Sequence, residues 1–166
     1  MILIGLGANL PSPQWGPPAA TLEAALDAFG ALGFELLVHS GFYETTPMPP
    51  SDQPRFVNAA AEVKTAMGPE AMLQVLLGLE DRFGRVRRAV GAARVLDLDL
   101  LAYGEVLTPA DAHPALPHPR LHERAFVLRP LAEIAPGWRH PRLGKTPEEM
   151  MAGLAGDQEV RLLERS

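Results

Sequence analysis

The sequence predicts an α+β fold, an antiparallel sheet with helices packed on it. Three observations predict it. Apolar stretches of strand length recur at the start, the middle and around residue 98. Two segments with helical spacing, each opened by proline, stand between them. The resulting order is β-α-β-β-α-β, with turn residues at the joints.

Met1 to Ala8 is a compact apolar run that ends in Gly7 and Asn9, and it reads as a buried strand. Pro11 to Pro18 is a turn-rich loop whose last prolines suit the first turn of a helix. Leu22, Ala25, Leu26, Phe29 and Leu32 then follow at helical spacing up to Gly33. Phe34 to Thr45 reads as one second strand. Thr46 to Pro54 carries four prolines and is long for a plain connection, which marks it as a functional loop. Phe56 to Thr65 is the third strand. Gly68-Pro69-Glu70 opens a second helix, with Met72, Leu73, Leu76, Leu77, Leu79, Glu80 and Phe83 before Gly84.

An arginine-rich loop runs from Gly84 into a strand over Val95 to Ala102. Tyr103-Gly104-Glu105 reads as a tight turn into a short strand at Val106-Leu107. Thr108 to Pro119 is loop, and Ala125 to Ile134 is a helix around Pro130. Thr146-Pro147-Glu148-Glu149 is a capping box opening a short helix. Glu159 to Leu163 is a last edge strand. The full expectation is a ferredoxin-like βαββαβ core, helices on one face of the sheet, plus C-terminal helices and short edge strands. A chain of 166 residues fits one domain over 1–166.

Composition narrows the function. The net charge of −5 gives no support to general nucleic-acid binding. There are no cysteines, which excludes disulfides and thiolate zinc sites. The N-terminal apolar run lacks a basic flank and is too short to span a bilayer, so no membrane role and a cytoplasmic setting are expected.

The chemistry concentrates between Gly84 and Leu101. In a strand, residues two apart share a face, so Asp97 and Asp99 point one way and Leu96, Leu98 and Leu100 the other. Two carboxylates on a rigid element suit a hard divalent cation, and magnesium takes waters and substrate phosphates as its other ligands. Arg82, Arg85, Arg87, Arg88 and Arg94 supply charge for a polyphosphate. Acids for metal beside arginines for phosphate form the layout of a phosphoryl-transfer site.

Other motifs weigh less. Gly5-Leu6-Gly7 lacks the third glycine of a dinucleotide fingerprint, because Leu10 stands there, and close backbone packing is the better account. His118 and His122 stand four apart without the Glu of a zinc helix. His118 alone suits a phosphate or a plain surface loop. Asn58 interrupts an apolar strand and needs partners, either within the fold or on a heterocycle edge, with Phe56 two residues away to stack.

The pieces together closely resemble the 6-hydroxymethyl-7,8-dihydropterin pyrophosphokinase family of folate synthesis. They are Gly5-Leu6-Gly7-Ala8-Asn9-Leu10, Tyr43-Glu44-Thr45-Thr46-Pro47, Gln53-Pro54-Arg55-Phe56-Val57-Asn58, Leu79-Glu80 with Gly84-Arg85-Val86-Arg87, Arg94-Val95-Leu96-Asp97-Leu98-Asp99, and His118-Pro119-Arg120 through Arg124 to Leu128. Each is weak alone. All six in order, from Ile4 to about Pro136, are specific.

The resemblance implies transfer of the terminal diphosphate of ATP to the pterin hydroxymethyl oxygen, leaving AMP. It implies that Asp97 and Asp99 hold two Mg2+ ions. Phe56 and Phe126 would sandwich the pterin, read by Asn58 and Thr45. Arg85, Arg94, His118 and Arg124, with Arg87 less directly, would grip ATP, and Arg85 and Arg94 join the two aspartates as catalytic residues. The loops at Thr46 to Pro54 and Gly84 to Arg94 would close over the site. The partners would be the two small substrates and no nucleic acid, and the chain a monomer. The sequence departs from many members in having Val90-Gly91-Ala92-Ala93 where a Trp is common. Pro119 and Phe56 stand where Tyr occurs in relatives.

Two other readings compete. A different two-metal nucleotidyl transferase would need a third carboxylate and a nucleic-acid groove. A non-catalytic ferredoxin-like ligand-binding domain would not need Asp97, Asp99 and the arginines together.

Overall fold

The computed structural model describes residues 1–46, 52–84, 95–156 and 158–163. Its elements are β1 (Ile2–Ala8), α1 (Pro18–Ala28), β2 (Glu35–His39), β3 (Tyr43–Thr45), β4 (Phe56–Lys64), α2 (Pro69–Arg82), β5 (Asp97–Tyr103), α3 (Ala125–Ile134), α4 (Pro147–Ala152) and β6 (Val160–Leu162). Single 3-10 turns add Gly30–Leu32 and Leu121–Glu123.

The sheet runs β5-β1-β4-β3-β6, with β2 also on β4, and every pair is antiparallel. β1 is flanked on both sides and is apolar on both faces. Its even residues Ile4, Leu6 and Ala8 join Leu98 and Leu100 of β5 and Val57, Ala59, Ala61 and Val63 of β4. Leu22, Ala25 and Leu26 of α1 and Met72, Leu76 and Leu79 of α2 close that core. On the other face, Leu3, Ala60, Leu101 and Ala102 pack against Val127, Leu128 and Leu131 of α3 and Met150 of α4. The two helices of the core therefore share one face of the sheet, and the C-terminal helices α3 and α4 cover the other. The stagger of β5 matters here: Leu3 pairs with Ala102 and Ile4 with Leu100, so Leu101 has no partner on β1.

The helix ends follow their local chemistry. Pro18 and Pro69 each occupy the first turn, where a missing N–H is harmless. Gly84 at φ 88° takes the left-handed position after α2. Thr146 Oγ1 accepts the Glu149 N–H at 3.2 Å and bonds the Glu149 carboxylate at 3.1 Å, so the capping box forms as expected.

Three expectations change. The second strand is two, because Ser40 breaks it. Ser40 Oγ accepts the Ala60 N–H at 2.9 Å and donates to Gly41 O at 2.7 Å, placing a side chain where the ladder would continue. Val106-Leu107 forms no strand: Val106 N–H closes a turn onto Tyr103 O at 3.1 Å, and both side chains are exposed. The turn at Leu121–Glu123 falls in a stretch with no helical periodicity and went unforeseen.

Candidate active site

The lower half of the second sheet face is left open by α3, and the candidate site residues gather there. Asp97 and Asp99 lie opposite Gly7 and Gly5 of β1. A Cβ built on Gly5 would meet the Leu101 side chain at 3.4 Å, so packing beside Asp99 is already close. Both aspartates are half-buried. Leu98 and Leu100, between and beyond them, are buried in the opposite core, as alternation requires.

Two cavities meet at these carboxylates. A narrow cleft on the sheet face is lined by Gly5, Gly7, Asn58, Asp97, Asp99 and Phe126. A larger cavity of about 350 Å3 wraps the free edge of β5, between Leu73, Leu77 and Glu80 of α2 and the 110–119 loop with His118. Asp97 and Asp99 line both.

Asn58 is buried and faces Gly7 across the β1–β4 ladder. Its Nδ2 donates to Thr45 Oγ1 at 2.8 Å. That bond fixes the amide plane, and Oδ1 is left on the cleft side as an acceptor. A Cβ built on Gly7 would stand 2.8 Å from that Oδ1. The close-packing account of Gly7 therefore holds, and it is the Asn58 head group that demands it.

Phe126 begins α3 and lines the cleft. The Arg124 guanidinium carbon lies 5.5 Å from its ring centroid, a cation–π distance. Phe56 is half-buried at the start of β4, on the Asn58 side of the strand and across from Thr45. The start of α3 is held from two directions. Gln158 Oε1 accepts the Ala125 N–H at 2.8 Å. Further along, the Glu133 carboxylate takes the Gly41 N–H at 3.0 Å and the Tyr43 hydroxyl at 2.5 Å. Burial and this carboxylate push the Tyr43 phenol up to about 12, so it remains a donor.

His118 is tied to β5 by its N–H, which donates to Leu101 O at 2.8 Å. Its Nδ1 accepts from Arg120 N at 3.2 Å, so the neutral ring carries its proton on Nε2. Burial, and then Arg124, push its pKa down to about 4 against an opposing pull from Asp97. The imidazole is therefore neutral at pH 7, a hydrogen-bond donor without charge.

Arg85, Arg87 and Arg94 lie outside the described residues, as do Arg88, the 90–93 stretch and residues 47–51. Of the sequence-expected site, the structure brings together Asp97, Asp99, Asn58, Thr45, Phe126, Arg124 and His118, with Phe56 along the strand from Asn58.

Two residues were missed as site components. Glu80 is buried in α2, and its Oε2 accepts the Leu98 N–H at 2.7 Å, between the two aspartates. An acid in the apolar stripe of a helix was the available signal. Asn9 is buried, and its Nδ2 donates to Gln53 Oε1 at 3.1 Å and Pro54 O at 3.2 Å. It ties the end of the loop before β4 to the end of β1.

Residues 3–136 match the sequence family described as 7,8-dihydro-6-hydroxymethylpterin-pyrophosphokinase. The chain belongs to this family. Curated relatives agree with the family match. A Pseudomonas aeruginosa 2-amino-4-hydroxy-6-hydroxymethyldihydropteridine pyrophosphokinase is 40% identical over 152 residues, 91% of this chain and 90% of its own. A Methylorubrum extorquens protein of the same name is 42% identical over 134 residues, covering 80% of this chain and 81% of its own. A crystal structure of Plasmodium falciparum HPPK-DHPS superposes with a TM-score of 0.68 at 14% identity, over 91% of this chain and 42% of that one. At that identity the likeness is one of fold: a mixed α/β architecture with an antiparallel sheet. Among the described residues, no helix is long and apolar enough to cross a membrane.

Proposed function

We propose that this chain is the ATP-dependent diphosphokinase of folate synthesis that moves the terminal diphosphate of ATP onto 6-hydroxymethyl-7,8-dihydropterin. The observation that carries the reading is that Asp97 and Asp99 line both cavities. A site joining two substrates through charged phosphates needs its acids at the junction of two pockets.

The narrow cleft is the pterin side. Asn58 Oδ1 offers an acceptor to the amino or amide N–H of the ring, and Phe126 and Phe56 offer faces to stack. The larger cavity is the ATP side, with His118 Nε2–H in its lining and Arg124, stacked on Phe126 at the cleft, as donors to phosphate oxygens. Arg85, Arg87 and Arg94 would complete that grip. The donor set fits Mg2+: two carboxylates on one face, with the rest of the shell left to water and phosphate. Two bound Mg2+ ions would neutralise developing charge and polarise the β-phosphorus. Asp97 and Asp99 fix where that charge is met. The pterin hydroxymethyl oxygen attacks the β-phosphorus, its proton is lost to water, and the α-phosphate leaves as AMP. Loops at 46–54 and 84–94 would exclude water from this transfer.

The element order and strand order support a ferredoxin-like core. One domain over 1–166, acting as a cytoplasmic monomer, completes the proposal. The deciding experiment is nucleotide product analysis with ATP, magnesium and the pterin. Pterin-dependent AMP without ADP supports diphosphoryl transfer. ADP would make the chain a simple kinase, and no pterin-dependent product from folded protein would overturn the reading.

A further inference from the structure

The tetrapeptide His-Pro-Arg-Leu occurs twice, at His118–Leu121 and His140–Leu143. Both copies make the same local bond: His118 Nδ1 accepts from Arg120 N at 3.2 Å, and His140 Nδ1 from Arg142 N at 3.2 Å. Leu143 N adds a second donor to His140 Nδ1 at 3.2 Å. The two turns face each other across a cavity of about 340 Å3, on the far side of the His118-Pro119 wall from the aspartates.

The lining has one sign. Thr108, His118, His122, His140 and Arg142 contribute its polar side chains, His118 being shared with the larger cavity, and no Asp or Glu lines it. His140 is 4% exposed. With two amides on Nδ1, its neutral ring must carry the proton on Nε2, and no described residue accepts that proton. The His122 ring stands across from it, 6.3 Å between centroids at 81°. Arg142 Nη2 donates to Thr108 O at 2.6 Å, which holds the guanidinium at the rim with its remaining N–H groups unengaged by any described residue. Burial first, and then His122 and Arg142, lower the pKa of His140.

We propose that the cavity between the two His-Pro-Arg-Leu turns binds a phosphate-type oxyanion, as inorganic phosphate or a phosphomonoester, at a site distinct from that of Asp97 and Asp99. The Nε2 donor of a largely buried imidazole, a second imidazole and a guanidinium line one space, which is what a tetrahedral dianion satisfies. A metal ion is the poorer fit, because no carboxylate lines the cavity; Glu123, whose Oε1 stands 3.8 Å from His122 Nε2, is not part of the lining. The volume exceeds that of one phosphate and leaves room for a small organic group. The inference does not rest on the proposed activity.

The test is an imidazole 1H–15N correlation spectrum of the full chain, titrated with inorganic phosphate against sodium chloride at matched ionic strength. A non-hydrolysable ATP analogue with magnesium is kept saturating, so that phosphate cannot report from the catalytic cavity. Saturable shifts of His122 and His140 with phosphate alone are expected. Arg142→Gln should weaken that binding about tenfold while leaving AMP formation in phosphate-free buffer unchanged. His122→Asn should weaken it as well, and serves if Arg142→Gln does not fold. No saturable shift, shifts confined to His118, equal affinity in both variants, or a response to zinc but not to phosphate would overturn the proposal.

Discussion

Gly7 and Asn58 face each other across β1 and β4 so closely that a Cβ on Gly7 would stand 2.8 Å from Asn58 Oδ1. The Asn58 amide has little freedom to yield, because Nδ2 is bonded to Thr45 Oγ1 at 2.8 Å. Gly7→Ala should therefore turn Asn58 away from the cleft. The loss of one well-placed hydrogen bond is about 1 kcal/mol, so pterin KM should rise roughly five- to tenfold with kcat less affected. Steady-state kinetics at saturating ATP measure it. An unchanged pterin KM would remove Asn58 from the proposed recognition.

Asp97 is half-buried at the rim of both cavities and supports no core packing, whereas Leu96 and Leu98 beside it do. Asp97→Ala should leave the circular dichroism spectrum and Tm near wild type. It should lower AMP formation about a thousandfold or more, because placement of transition-state charge is lost. Near-normal turnover would sink the metal assignment.

Glu80 acts on the same strand from behind. Among the described residues β5 pairs only with β1, so the outward Leu98 N–H meets no strand partner there, and Glu80 Oε2 takes it at 2.7 Å. Glu80→Ala removes a hydrogen bond to a charged group and leaves a buried N–H without its acceptor. It should cost about 2–3 kcal/mol in urea unfolding. Glu80→Gln keeps an acceptor oxygen and should recover part of that. If the two variants were equally stable, the Leu98 bond would not be the reason for an acid in this core.

The pH dependence has a definite sign. His118 has its folded pKa lowered to about 4 from an ordinary 6.5, so the fold favours the neutral ring. Its contribution to stability is full above pH 6.5 and is lost as pH falls from there towards 4. Denaturation midpoints should fall between pH 7 and pH 5, and fall less in His118→Gln, which cannot titrate. His140 has the same sign and is untouched by that variant, so the difference isolates His118. Parallel pH profiles for the two proteins would refute it.

What could be read from the sequence divides along physical lines. Proline-opened helices, the capping box at Thr146 and the alternation around Asp97 are local signals, and all appear where expected. The break at Ser40 was hidden, because a serine in a β-rich run gives no sign that its hydroxyl will take a ladder bond from Ala60. The strand expected at Val106-Leu107 had the right residues and no neighbour to pair with among the described residues. Asn58 stood out as a polar residue in an apolar strand, but its engagement with Gly7 and Thr45 requires three strands to be in register. The arginines Arg85, Arg87 and Arg94 lie outside the described residues, so of the proposed phosphate grip His118 and Arg124 are the members whose positions are described.

The unpaired Leu101 divides β5 into two reading frames. Before it, even-numbered side chains enter the core of α1 and α2, and odd-numbered ones face the open site. After it the phase inverts: Ala102 packs towards α3, and Tyr103 packs back against the first core. The half of the strand that carries the acids is thereby uncoupled in phase from the half that anchors the far end. A residue-by-residue scan of tolerance along β5 should show a period of two with a single slip at Leu101, and deleting Leu101 should remove the slip and leave every other residue of the strand on its present face.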